Sequence, residues 1–262
     1  MVLLRHFSLL SFSEAVFCLL SIMLGMIFAA GLGTRLKPLT DTMPKALVPL
    51  AGKPLLQWQV EKLRDAGITD IIVNVHHFPD MIIDTIRANE GWGCNIVVSD
   101  ERDLLLDTGG GLRKAVTGYG LQVTGEPILA CNVDILSNID ICDFINAYEQ
   151  SSISQLVVSD RQTQRYLCFD DNDQLCGWTN IKTGELKGQD GRHLAFSGMQ
   201  ILSPEALSLL SQMPADKFSL IDFYLQAMNK VPLKAYVPSD YRMMDVGKID
   251  QIEEAERFAE RL

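Results

Sequence analysis

Ala29-Ala30-Gly31-Leu32-Gly33-Thr34-Arg35-Leu36 has the composition of an anion cradle. Glycines let the main chain approach a ligand closely, and successive N–H groups can form a concavity for negative charge. A dinucleotide fingerprint would need a third glycine where Leu36 stands, and the G-K-[ST] of a Walker loop occurs nowhere. From Gly31 to Lys53, four basic residues (Arg35, Lys37, Lys45, Lys53) stand against Asp41, a local +3 in a chain of formal charge −10. An arginine fork grips phosphate bidentately, and Lys45, in a loop stiffened by Pro44 and Pro49, can hold a point charge in place. For the glycines alone, a plain turn ahead of a solvated basic loop stays open.

The elements that must position this loop are legible around it. Apolar β-type runs fall at Met26–Ala30, Asp70–Val75, Asn95–Ser99, Pro127–Cys131 and Gln155–Ser159. Amphipathic stretches at Pro54–Ala66, Asp80–Ala88, Gly111–Val116 and Ile141–Gln150 separate them. Leu55, Leu56, Val60, Leu63 and Ala66 recur at helical spacing, and Gly67 supplies the stop. This alternation predicts an α/β fold: a Rossmann-like three-layer sandwich with a mostly parallel central sheet and its site beyond the carboxyl ends of the strands.

The second half changes character. Tyr166–Phe169 and Gln174–Trp178 flank Asp170-Asp171-Asn172-Asp173 as a hairpin, and His193–Leu202 reads as another strand. Pro204–Gln212 and Leu220–Met228 read as helices, Leu233–Val237 and Tyr241–Met244 as strands, and Ile249–Leu262 as a closing helix. With no internal repeat and no Pro/Ser-rich linker, residues 23–262 are read as one domain carrying a small β-rich subregion.

The 262 residues are 47% hydrophobic and 21% charged, which rules out disorder, collagen-like repeats and a disulfide scaffold. Six scattered cysteines (Cys18, Cys94, Cys131, Cys142, Cys168, Cys176) without a C-x-x-C pair read as reduced core thiols of a cytoplasmic protein, not as a zinc site. The negative charge argues against nucleic acid as a partner. From Ala15 to Thr34, twenty residues carry no charge, enough to cross a bilayer if taken alone. Arg5 and His6 upstream also suit a signal peptide, although no A-x-A site follows. Membrane insertion would bury the glycine loop, so the run is split. Residues 1–22 are expected to be a non-catalytic leader, with Met23 and Met26 as internal start candidates. A chain begun at Met23 is expected to be active, and no membrane partner is expected.

AAGLGTRLKPLT followed by MPKALVPLAGKPLL resembles the signature of the sugar-1-phosphate nucleotidyltransferases. That family makes an NDP-sugar and pyrophosphate from an NTP and a sugar 1-phosphate, and the similarity runs from about Met23 to the C-terminus. It implies that Ala29, Ala30, Gly31, Gly33, Thr34 and Arg35, with Lys45 and Asn132, bind the nucleotide. Leu106-Asp107-Thr108-Gly109-Gly110-Gly111 matches the second glycine segment, with Thr108, Gly109 and Gly110 as the base platform and Glu101 and Arg102 at its border. Asn132-Val133-Asp134 matches the strand end bearing the first magnesium aspartate, and Asp245 in Met244-Asp245-Val246-Gly247 matches the second. Phe196-Ser197-Gly198 resembles the strand lining the sugar pocket, which assigns Ser197 and Gly198 to the sugar.

The implied reaction is in-line attack of a sugar-phosphate oxygen on the α-phosphorus, with pyrophosphate leaving. Both reactants are anions, so catalysis is mostly positioning and charge neutralisation. Arg35, Lys45 and Asp134 are the expected catalytic set. Mg²⁺, which takes a few carboxylates plus phosphate oxygens, is expected on Asp134 and Asp245.

Asp100-Glu101-Arg102-Asp103 before LLDTGGG, in a chain without a C-terminal repeat domain, is most similar to the N-acetylmuramate-1-phosphate uridylyltransferases of bacterial cell-wall recycling. That resemblance favours UTP and N-acetylmuramate 1-phosphate. Mannose-1-phosphate and heptose-1-phosphate guanylyltransferases share the frame and stay open. One departure stands out: many relatives carry Glu-Lys-Pro after the hairpin, and here Gly177-Trp178-Thr179-Asn180 stands instead. Trp178, Asn180 and Lys182 are the candidates for the missing sugar-phosphate contact. From other classes, a catalytically inactive nucleotide-sugar-binding subunit would have lost a metal aspartate or Lys45, and Leu36 argues against an oxidoreductase. A monomer or small homo-oligomer is expected. His76-His77 lacks a third metal ligand at suitable spacing, and Asp170–Asp173 reads as a solvated hairpin tip.

Overall fold

The apolar run before the glycine loop forms β1 (Leu24–Phe28), and all five residues are buried. Alternate side chains feed two cores: Ile27 enters one, while Leu24, Met26 and Phe28 enter the other. Burial on both faces is what a continuous apolar run predicts for a central parallel strand. The computed structural model describes residues 23–120 and 125–262, so the expected leader 1–22, with Cys18, lies outside the described residues.

After β1 come the short paired strands β2 (Pro49–Leu50) and β3 (Lys53–Pro54), then α1 (Leu55–Asp65), β4 (Asp70–Val75), α2 (Pro79–Ala88) and β5 (Asn95–Asp100). Next are α3 (Asp107–Tyr119), β6 (Ile128–Asn132), β7 (Ile135–Ser137), α4 (Ile141–Ser151) and β8 (Ser154–Ser159). The β-rich part holds β9 (Arg165–Phe169), β10 (Leu175–Asn180), β11 (Glu185–Gly188) and β12 (Arg192–Leu202). Last are α5 (Pro204–Ser211), α6 (Leu220–Ala227), β13 (Leu233–Tyr236), β14 (Met243–Asp245) and α7 (Ile252–Ala259).

Strands β6, β1, β4 and β5 lie side by side and parallel, so their carboxyl ends form one rim. β12 joins antiparallel to β6 and continues the sheet through β9, β10 and β11, while β8 pairs with both β12 and β13. The sheet is therefore mixed: parallel at its centre, antiparallel in the β-rich part. Side chains of α1, α2, α4 and α7 fill one core and those of α3, α5 and α6 the other, which makes three layers. Among the described residues, no helix is long and apolar enough to cross a membrane.

Two departures from the sequence pattern have physical reasons. β11 is exposed at all four positions and so carries no apolar signature. α3 begins at Asp107 rather than Gly111, taking in glycines of low helix propensity. The N–H groups of Gly109 and Gly110, which a helix start would leave orphaned, donate to Phe218 O at 3.0 and 3.1 Å.

β12 changes partners along its length. Arg192–Leu194 pair with β9 and Met199–Leu202 with β6, and the register against β8 slips between Phe196 and Gln200. At the slip Gly198 has φ +73°, and a Cβ there would meet Asn132 Nδ2 and Ile135 Cγ1 at 3.0 Å. Such bulges re-aim a strand, and this one carries Ser197-Gly198 past the end of β6.

Candidate active site

Beyond Phe28 the chain leaves β1 as the glycine loop, and its first amide is fixed from below. Ala29 N donates to Asn74 Oδ1 at 2.8 Å, and Asn74 Nδ2 donates to Glu101 Oε1 at 2.7 Å. Leu106 N donates to the other Glu101 oxygen at 3.1 Å. Asn74 is 2% exposed and Glu101 1%. Burial pushes the Glu101 carboxyl up, against the pull of these donors. Further along, Gly33 has φ +63°, and a Cβ there would lie 2.8 Å from Thr40 Cγ2 and 3.0 Å from Lys45 Cβ. The left-handed glycine is what lets the loop close over the Lys45 segment.

Lys45 opens a 3₁₀ turn after Pro44 and is buried. Its Nζ donates to Asp134 Oδ2 in a direct ion pair. Asp134 follows β6, and its carbonyl accepts from Val246 N at 2.9 Å. The short antiparallel ladder of β7 with β14 pairs Ile135 with Asp245, bringing together two aspartates distant in sequence. Arg35 Nη2 lies 3.8 Å from Asp245 Oδ2. Burial and then the neighbouring Asp134 charge push the Asp245 carboxyl up, while Lys45, Arg35 and Arg161 draw it down.

A cleft of about 240 Å³ gathers Gly31, Gly33, Thr34, Arg35, Lys45 and Asp134, and reaches Ala29, Thr108 and Asn132 as well. A second cavity of about 300 Å³ shares Phe28, Gly31 and Thr108 with it and adds Ala30, Leu105 and Lys217. The two adjoin through those three shared residues, and Asn74 and Asp107 also line the second.

Several residues picked from the sequence lie elsewhere. Lys37 pairs with Asp41 at 2.9 Å and Lys53 with Glu61 at 2.6 Å, so only Arg35 and Lys45 of that basic run line the cleft. Gly109 and Gly110 are buried inside α3, where added Cβ atoms would collide with Phe218 (2.5 Å) and Asp216 O (2.3 Å). Their missing side chains make room for Phe218 and Asp216, and Thr108 is the residue of that trio on the cavity wall. Glu101 is buried beneath the loop, and Arg102 is tied outward to Asp100 and Asp80. Asn180 Oδ1 accepts from Lys182 N within its own turn, Lys187 lies over the Trp178 ring, and none of Trp178, Asn180 and Lys182 lines either cavity. His76 Nδ1 contacts Glu101 O at 2.7 Å as an ordinary polar loop residue.

Sequence reasoning missed three contributors. Asn74 was signalled, as the one polar residue inside the buried run Ile71–Val75. Tyr241 approaches Ser197 and Ser137, and burial pushes its phenol up. Arg161, in the loop after β8, donates to Phe196 O at 2.9 Å, and its charge is felt by both Asp245 and Tyr241. A polar loop arginine carries no signal in the sequence.

On the cleft wall, Arg35 and Lys45 face Asp134, and Asp245, which does not itself line the cleft, lies 3.8 Å from Arg35. A polyphosphate therefore needs positive charge beyond what the side chains supply. The two carboxylates are hard oxygen donors of the kind that suits Mg²⁺, and their mutual repulsion is what a divalent cation relieves.

A family model described as Nucleotidyl transferase matches residues 24–261. The chain is 31% identical over 245 residues, 90% of its length and 98% of the relative's, to the N-acetylmuramate alpha-1-phosphate uridylyltransferase of Neisseria meningitidis serogroup B. It is 30% identical over 198 residues, 73% of this chain and 53% of the other, to the mannose-1-phosphate guanyltransferase of Saccharomyces cerevisiae. Among solved structures, HddC from Yersinia pseudotuberculosis complexed with GMP-PN superposes with a TM-score of 0.70 at 26% identity, over 90% of this chain and 99% of that one.

Proposed function

The chain belongs to the nucleotidyl transferase family, and on that premise we propose that it joins UTP to N-acetylmuramate 1-phosphate, releasing pyrophosphate. The observation that carries the reading is the Lys45–Asp134 ion pair under a glycine loop, with Arg35 and Asp245 within reach of it. Arg35, exposed at the mouth, takes the outer phosphates with its bidentate fork. Lys45 has little freedom in its turn, so its ammonium is ready at the place where the α-phosphate must lie. Asp134 and Asp245 would hold Mg²⁺, which would supply neutralising charge to the phosphates and the leaving pyrophosphate.

The uracil would occupy the slot beside Phe28, Leu105 and Thr108, against the main chain of Ala30 and Gly31. Ser197 and Gly198 border the sugar where β12 passes Asn132. N-acetylmuramate 1-phosphate carries a carboxylate besides its phosphate, and Arg161 is the cation placed to meet an anion on that side. It takes the part that Glu-Lys-Pro plays in many relatives. A cytoplasmic place in cell-wall recycling goes with this substrate.

The uridylyl reading rests on a relative matched across 98% of its length. A guanylyl reading is favoured by the likeness to HddC with its bound GMP-PN. Pyrophosphate release over a grid of four NTPs and several sugar 1-phosphates, with and without Mg²⁺, decides between them. The expected maximum is UTP with N-acetylmuramate 1-phosphate, in Mg²⁺ alone. A maximum with GTP would move the assignment to the guanylyl reading, and a blank grid would overturn both.

A further inference from the structure

We infer that Cys168, Asp190 and His193 form a binding site for a thiophilic divalent cation of the zinc class, separate from the catalytic cleft. Cys168 on β9 and His193 on β12 are direct cross-strand partners, so their side chains share one face of the sheet. Asp190 sits in the turn between β11 and β12, with its Oδ1 2.7 Å from His193 Nε2 and 4.0 Å from Cys168 Sγ. The three donor atoms all lie within 4.8 Å of one another, the one such Cys/His/carboxylate group among the described residues.

Tetrahedral zinc bonds of roughly 2.0–2.3 Å put ligand atoms roughly 3.3–3.8 Å apart, so small side-chain shifts would seat the ion. The partners are braced for it. Gly191 N donates to Asp190 Oδ1 at 2.9 Å, and Tyr166 stacks on the His193 ring at a centroid distance of 5.6 Å. Such outer contacts orient metal ligands. A sulfur, nitrogen and oxygen set selects zinc-like ions, whereas the all-carboxylate pair at Asp134 and Asp245 suits a hard ion. On binding, the Cys168 S–H gives its proton to solvent and an S–metal bond forms, His193 Nε2 lends its lone pair, and Asp190 enters as carboxylate. Asp190 and His193 are exposed, which leaves a fourth position to water. The bound ion would clamp the β11–β12 turn onto β9.

The test is titration of the purified full chain with Co²⁺, read as thiolate-to-cobalt charge-transfer absorption, then bleaching by Zn²⁺. One equivalent is expected in the wild type, unchanged in Cys94→Ser and Asp245→Asn and absent in Cys168→Ser. His193→Ala is expected to weaken binding by at least the roughly 10–100-fold that loss of an outer contact costs. Should Cys168→Ser not fold, His193→Ala and Asp190→Asn, both altered at exposed side chains, carry the test. Absence of the band in wild type, or its survival at full strength in these variants, overturns the site. The readout is independent of nucleotidyl transfer.

Discussion

Lys45 and Asp134, 89 residues apart in the chain, meet as a direct ion pair at the rim of the parallel strands. If that pair lies at the reacting phosphate, Lys45→Ala and Asp134→Asn each lower kcat by about 10²–10³ while folding survives. The double variant should lose less than the product of the singles, because the two groups act on one another. Steady-state pyrophosphate release, with circular dichroism as the folding control, measures this. Near-normal turnover in Asp134→Asn would refute the placement.

Asp245 is expected to hold the cation jointly with Asp134. Asp245→Asn should raise the Mg²⁺ concentration for half-maximal activity by more than about tenfold, since even outer contacts to a metal are worth that much. A chelator should abolish turnover in the wild type. Activity measured against Mg²⁺ concentration reports both, and an unshifted midpoint would count against Asp245.

Arg161 tests the sugar side. Arg161→Ala should raise KM for the sugar 1-phosphate about tenfold or more, as loss of a charged hydrogen bond of about 1.5–3 kcal/mol implies, and leave KM for the NTP unchanged. An equal rise in both constants would mean that the arginine only supports the Phe196 backbone.

Asn74 is expected to act through position. Asn74→Ala strips a donor from the buried Glu101 carboxylate and leaves Ala29 N without its acceptor. The cost should be about 1–3 kcal/mol in denaturant unfolding, with a raised KM for the NTP. Wild-type stability and KM in this variant would show the network to be idle.

Lys62 gives a pH signature. Its ammonium donates to the Ser137 carbonyl, and to Ser137 Oγ at 3.0 Å, and burial pulls its pKa down to about 8 from 10.5. Between those values the unfolded chain binds the proton and the folded one does not, so this residue makes stability rise with pH across that window. The pH slope of the urea midpoint between pH 8 and 10.5 should therefore be more positive in wild type than in Lys62→Met, whatever the buried thiols and phenols add to both. Parallel curves would contradict the shift.

The three layers were legible because β1, β4 and β6 are apolar runs between amphipathic helices, a pattern set by burial on both faces. The glycine loop, Lys45 and both aspartates were legible as motifs. Gly109 and Gly110 show the limit: a glycine signals that something comes close but not what, and the neighbours are Phe218 and Asp216, about a hundred positions away. β11 has no apolar face to betray it, and Arg161 gains meaning only because its loop folds over Phe196. Cys168, Asp190 and His193 had no motif spacing, since a cross-strand register joins two of them and a turn brings the third.

The mutual cancellation of Arg35 and Lys45 by Asp134 and Asp245 has a kinetic side. Those four charges cancel among themselves, and with −10 over the whole chain the protein offers little long-range attraction to a bare polyphosphate. For any anionic ligand, encounter with a chain of this charge is opposed at long range, so added salt, by screening that repulsion, should speed it.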